Sequence, residues 1–284
     1  MLTAIGRLLS ARFIDHPILI VGTGRSGTSV LLQAIGEHPF VYALPGEAPF
    51  LTSIGRSAQL FEGTDRQSSY FLDALKVPKD YLYDQLRRLG FEVAAGPYFG
   101  VRRSVGGILG RSASPIGRRL WCVKSFPTEA VTRGLLALYP SIRFIYIVRN
   151  GCEVVHSRTK FTGFAHEDFH QHCRNWAEGV DTYRYLTELP QCCCLTQEAL
   201  LHDPQKLFSR LFDFLGIPDH PGAADYARTT LVHPLDKDTR TNTDARKTLS
   251  EREPPYKHWT QEQKTIFKNI CADQMRELGY EIPF

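Results

Sequence analysis

Pro17-Ile18-Leu19-Ile20-Val21-Gly22-Thr23-Gly24-Arg25-Ser26-Gly27-Thr28-Ser29-Val30-Leu31-Leu32-Gln33-Ala34-Ile35 passes from a continuous apolar run through a glycine-rich turn into a stretch of helical character. The reading is strand, loop, helix. Outward from it, Phe40 to Leu44, Trp121 to Val123, Phe144 to Val148 and Cys192 to Leu195 are four more short apolar runs, the first bounded by His38-Pro39 and Pro45-Gly46. Runs this short and this apolar suit parallel strands covered on both faces. Helical patterns over Thr128 to Tyr139, Phe169 to Leu189 and Pro204 to Leu215 lie between them, the last closed by Gly216 and Pro218. Alternation of this kind predicts an α/β fold, a parallel central sheet with helices on both faces. Residues 93–120 and 235–257 have little regular pattern and read as loops or lids.

The turn Gly22-Thr23-Gly24-Arg25-Ser26-Gly27-Thr28-Ser29 has the physical make-up of an anion cradle. Glycines let the backbone fold around a phosphate, and the amides and dipole at a helix start favour negative charge. The spacing is that of a Walker A loop, but Thr28 stands where that loop has its lysine. A triphosphate would lose its main β/γ cation, while Arg25 supplies charge at a different point. The strand Phe144 to Val148 then delivers Arg149, with Ser157 eight residues on. A nucleoside triphosphatase would carry a metal-holding aspartate at such a strand end. A cation and a hydroxyl there suit a second phosphate gripped directly, without a metal.

These landmarks resemble the PAPS-dependent sulfotransferase family (PAPS is 3′-phosphoadenosine 5′-phosphosulfate). Gly24-Arg25-Ser26-Gly27-Thr28-Ser29 is similar to the family's 5′-phosphosulfate loop, and Ile147-Val148-Arg149-Asn150-Gly151 with Ser157 to its 3′-phosphate motif. Glu198-Ala199-Leu200 and Phe214-Leu215-Gly216-Ile217-Pro218 continue the likeness, which spans residues 17 to about 218. Arginine at position 25 is like bacterial, carbohydrate and tyrosylprotein enzymes, and Gly151 replaces a frequent proline. The resemblance implies a P-loop-like sulfotransferase fold, one domain over 1–284, an acceptor region at about 50–120, and a nucleotide-covering segment at about 235–260. It implies PAPS as co-substrate, adenosine 3′,5′-bisphosphate as product, and no metal.

The resemblance also suggests catalytic residues. Glu47, after the second strand, stands where several branches keep a carboxylate base; as an alternative it caps the next helix or is solvated. Other branches use histidine, and His38 and His156 are the candidates here, each more simply read as a turn or packing residue. Lys124 matches a lysine beside the transferring sulfuryl group, against the plainer reading of a surface lysine. Arg25 and Lys124 would then flank one sulfate. Arg246 and Lys247, with Lys257, are candidate 3′-phosphate contacts in the covering segment, whose glycine-rich signature is missing.

Composition bounds the remaining possibilities. A chain of 284 residues, 43% hydrophobic, can bury a full core, and a net charge of +4 is too mild for a nucleic-acid protein without a basic stripe. Val93 to Thr128 holds no acidic residue but six basic ones, a local asymmetry that would recruit an anionic acceptor, hold the nucleotide, or simply be solvated. No window approaches a membrane span. Leu2, Ile5, Leu8, Leu9 and Phe13 form one face of a short helix that packs on the domain or touches a membrane weakly. Seven cysteines without paired C-x-x-C spacing read as reduced core thiols and place the chain in the cytoplasm. The acceptor class stays open among small-molecule, carbohydrate, lipid and peptide hydroxyls, as does the oligomeric state. The competing readings are a P-loop nucleotide kinase or NTPase and an inactive nucleotide-binding scaffold.

Overall fold

The computed structural model describes residues 15–62, 74, 76–99, 119–232 and 253–284. The five apolar runs are strands: β1 (Pro17–Gly22), β2 (Val41–Glu47), β3 (Leu120–Lys124), β4 (Arg143–Val148) and β5 (Cys192–Thr196). They form one wholly parallel sheet in the order β2-β3-β1-β4-β5. β1 is buried along its whole length, as a central strand covered on both faces must be.

Side-chain alternation sorts each strand between two layers. On one face Leu19, Val21, Tyr42, Trp121, Phe144 and Tyr146 pack under α2 (Pro49–Glu62) and α4 (Glu129–Leu138). On the other, Ile18, Ile20, Cys122, Ile145 and Ile147 meet α1 (Thr28–Gly36), α8 (Pro204–Leu215) and α9 (Pro221–Val232). A third cluster joins α5 (Gly151–Thr159), α6 (Phe169–Tyr183) and α10 (Gln261–Glu277) around Trp176 and Phe267. The remaining helices are α3 (Lys79–Phe99) and α7 (Gln197–His202).

The helices that follow β1 and β3, α1 and α4, lie on opposite faces of the sheet. Their connections therefore diverge and leave a crevice beyond the carboxyl ends of those strands, where open α/β sheets bind ligands. Three expectations shift. β2 runs past Pro45-Gly46 to Glu47, with an irregular register against β3 between Ala43 and Glu47. The helix read over 169–189 stops at Tyr183 and tightens to a 3-10 turn at Arg184–Glu188, which seats Leu186 against the sheet. Residues 93–99, read as loop, are the last turns of α3. The N-terminal helix expected within residues 1–14 lies outside the described residues.

Candidate active site

The glycine-rich turn of residues 22–29 connects β1 to α1. Gly27 caps α1 at φ 88, a left-handed conformation that glycine adopts without steric cost. No side chain caps α1 and its first turn has no acid, whereas Thr128, Asn150, Asp168, Thr196, Asp203 and Thr260 cap other helices. The amides opening α1 thus lack the carboxylate or hydroxyl that would compete with an anion. Inside the loop, Ser26 is buried and its Oγ lies 2.6 Å from Thr23 Oγ1. Thr28 is also buried, while Gly24 and Ser29 are exposed.

Arg25 and Arg149 join this loop to β4. Arg25 has φ 71, uncommon for a side-chain-bearing residue. Arg149 Nη1 donates to the Arg25 carbonyl at 3.2 Å, which secures the peptide in that conformation. Arg149 Nη2 pairs with Glu153 at 2.9 Å. Arg25 Nε in turn donates to Ser157 Oγ at 3.2 Å, and its guanidinium lies 4.4 Å over the Phe161 ring. Residues 132 positions apart are thereby brought together. β4 ends beside β1, with Ile147 paired to Gly22, so both strands open onto the same crevice.

Lys124 and Glu47 end neighbouring strands and are register partners. Lys124 Nζ lies 3.4 Å from a Glu47 carboxylate oxygen and donates to Ser29 Oγ at 3.0 Å. Lys124 is 14% exposed and Glu47 56%. The cation is therefore tucked against the first turn of α1 while the carboxylate faces solvent. Arg25 is engaged on the Ser157 side of the loop and Lys124 on the Ser29 side, so the two cations flank it rather than pair with each other. Arg246 and Lys247 lie outside the described residues; Lys257 is described, and pairs with Glu253 at 3.4 Å.

The histidines are placed for packing. His38 is 1% exposed, with Nε2 2.9 Å from the Pro218 carbonyl and its ring against Phe212. It precedes β2, whereas Glu47 ends it, so a strand's length separates His38 from the crevice. His156 stacks on His258, their centroids 6.5 Å apart. Burial, then the charges of Lys160, His258 and Arg149, push its pKa below the usual imidazole value.

Two features escaped local patterns. Arg158 is buried and pairs with Glu167 at 2.6 Å; its Nη1 would lie 3.3 Å from a Cβ at Gly24. Glu167 also lies 2.9 Å from His172 Nδ1, so this ion pair holds the Arg158 guanidinium against the glycine-rich turn at Gly24. At the end of β5, Gln197 packs on Gly27, and Glu198 accepts the Asn150 N–H at 3.0 Å. The Glu198-Ala199-Leu200 landmark signalled the segment but not this contact.

A family model described as "Sulfotransferase family" matches residues 17–221. Among solved structures, the sulfotransferase domain from the curacin biosynthetic pathway is 20% identical with a TM-score of 0.50, over 94% of this chain and 99% of that one. The sulfotransferase domain from the Synechococcus PCC 7002 olefin synthase is 16% identical with a TM-score of 0.51, over 94% and 96%. Mouse sulfotransferase SULT7A1 complexed with PAP is 14% identical with a TM-score of 0.51, over 96% and 92%. At these identities the structures show a shared fold. No curated protein matches the chain.

Proposed function

The chain belongs to the sulfotransferase family, and from that premise we propose that its crevice takes PAPS as donor and a hydroxyl as acceptor. One observation carries the reading of the donor. The strand beside the glycine-rich turn leads directly into Arg149, and Arg149, Arg25 and Ser157 form one hydrogen-bonded chain from that turn to α5. Such a chain offers two adjacent anion sites, matching a nucleotide phosphorylated at both 5′ and 3′ positions.

Sulfuryl transfer forms a bond from acceptor oxygen to sulfur as the bond from sulfur to the donor phosphate oxygen breaks. The α1 amides and Arg25 hold the 5′-phosphosulfate, and Arg149 with Ser157 hold the 3′-phosphate. Lys124 stabilises charge gathering on the leaving phosphate oxygen, a role its bond to Ser29 at the start of α1 supports. Glu47 takes the acceptor's proton, a role supported by an exposed carboxylate that leaves room for a hydroxyl beside it. Phe126, 38% exposed and two residues beyond Lys124, offers the acceptor an apolar surface. All seven cysteines are free thiols, which supports work in a reducing compartment such as the cytoplasm.

Labelled PAPS with a panel of alcohols, phenols and sugars tests the transfer. Thermal shift tests the donor: adenosine 3′,5′-bisphosphate in chelator should raise the melting temperature more than ATP with Mg²⁺. The reverse order would favour a nucleotide kinase. Arg149→Ala and Ser157→Ala should raise KM for PAPS more than they lower kcat, because they hold a phosphate whose charge does not change in the reaction. Unchanged KM in both would refute the 3′-phosphate assignment.

A further inference from the structure

Resting on the reading that Arg149 holds the 3′-phosphate, we infer that Glu198 is a positioning residue that sets discrimination in favour of 3′-phosphorylated nucleotides, and that Tyr280 locks it in place. β5 is the neighbour of β4, with Thr196 paired to Val148, so the first turn of α7 sits beside the turn that follows Arg149. One Glu198 oxygen accepts the N–H of Asn150, the residue next to Arg149, at 3.0 Å. Asn150 uses its side chain to cap α5 through the Cys152 N–H at 2.9 Å. The peptide between Arg149 and Asn150 is thereby held at both ends of the turn, and with it the direction in which Arg149 leaves the backbone.

The other Glu198 oxygen accepts the Tyr280 hydroxyl at 2.8 Å. Both carboxylate oxygens are thus engaged, which restricts the side chain to one rotamer. Burial, then the charge and hydrogen bond of Glu198, push the Tyr280 phenol pKa far up, so the hydroxyl stays a donor throughout the working range. Tyr280 follows α10, and its own N–H bonds back to the Met275 carbonyl at 2.8 Å. The C-terminal segment therefore buttresses the 3′-phosphate turn through a single carboxylate. A purely structural tie would fasten the segment without favouring one nucleotide over another. A positioning role acts through Arg149 and falls mainly on ligands that carry a 3′-phosphate, because Arg149 reaches the 5′ side only through its bond to the Arg25 carbonyl.

Calorimetric affinities for adenosine 3′,5′-bisphosphate and adenosine 5′-phosphate separate these two roles. Wild type should prefer the bisphosphate. Glu198→Ala should weaken the bisphosphate about tenfold and leave adenosine 5′-phosphate within about twofold, since a hydrogen bond to a charged group is lost at one subsite only. Glu198→Gln keeps an acceptor for Asn150 and should restore most of the preference, and KM for PAPS should follow these affinities while kcat changes little. Equal weakening of both nucleotides, or an undiminished preference in Glu198→Ala, overturns the inference. Tyr280→Phe leaves the carboxylate intact and carries the test should Glu198→Ala not fold. A reduced preference then supports the inference and an unchanged one overturns it. A wild type that binds both nucleotides alike refutes the Arg149 reading itself, and the inference with it.

Discussion

Glu47 and Lys124 form the pair on which turnover should depend. An ion pair with a carboxylate 56% exposed contributes little to folding, so their substitution reports on chemistry rather than stability. Glu47→Gln keeps size and removes basicity; kcat should fall by about 10²–10⁴ with bisphosphate affinity nearly intact. Lys124→Ala should lower kcat too, and loosen nucleotide binding modestly, because Lys124 also bonds Ser29 at the start of α1. Lys124→Arg should not restore the rate, since a planar fork cannot occupy the point held by a compact ammonium. Single-turnover rates beside calorimetry make the check. Normal turnover by Glu47→Gln would reduce Glu47 to a counter-ion, and His38 could not replace it, buried as it is against Phe212 at the far end of β2.

The elements that aim this pair are α2, which follows Glu47, and α4, which follows the strand carrying Lys124. They cross at glycines: a Cβ on Gly134 would lie 2.0 Å from the Gly55 carbonyl oxygen and 2.7 Å from Gln59 N. Alanine at position 134 meets opposing effects. Helix propensity would gain about 1 kcal/mol, while forcing apart two packed backbones costs about 1–3 kcal/mol or more. Backbone atoms cannot swing aside as a side-chain end can, so overpacking wins. Gly134→Ala should lower the urea midpoint without changing the m-value. A raised midpoint would show that the two helices separate freely.

Across the whole molecule, the Arg158–Glu167 ion pair beside Gly24 couples stability to pH. Burial pushes the Glu167 pKa up, but Arg158 and His172 outweigh it and hold it below the usual 4.5. Its contribution is present above that value and lost as pH falls through the lower folded-state pKa. Burial, partly offset by Glu167, holds His172 below 6.5. The unfolded chain therefore takes this proton first, and stability begins to fall as pH drops below 6.5. Both slopes have the same sign. Melting temperature should decline in two stages, the first as pH drops below 6.5 and the second as it drops below 4.5, and Glu167→Gln should flatten the lower stage. A melting temperature constant across that interval would remove the pair from the account.

Five strand positions, the helix Pro204–Leu215, the glycine-rich turn after β1 and the cation just beyond β4 were legible in the sequence. Each is written within a window of a few residues, where apolar period, glycine and proline punctuation, and residue charge act locally. The resemblance put Arg25 and Ser157 in separate phosphate motifs, and only the strand order β2-β3-β1-β4-β5 brings β1 and β4, and with them these two residues, together. Local pattern also misjudged two ends: helical periodicity ran on to Leu189 where Leu186 turns into the core, and a glycine-bearing stretch through Phe99 is helix. The burial of His38, the Arg158–Glu167 pair and the seat of Glu198 between Asn150 and Tyr280 were settled only by tertiary structure. Those contacts depend on which strands become neighbours and in what register, and long-range packing, not local periodicity, selects both.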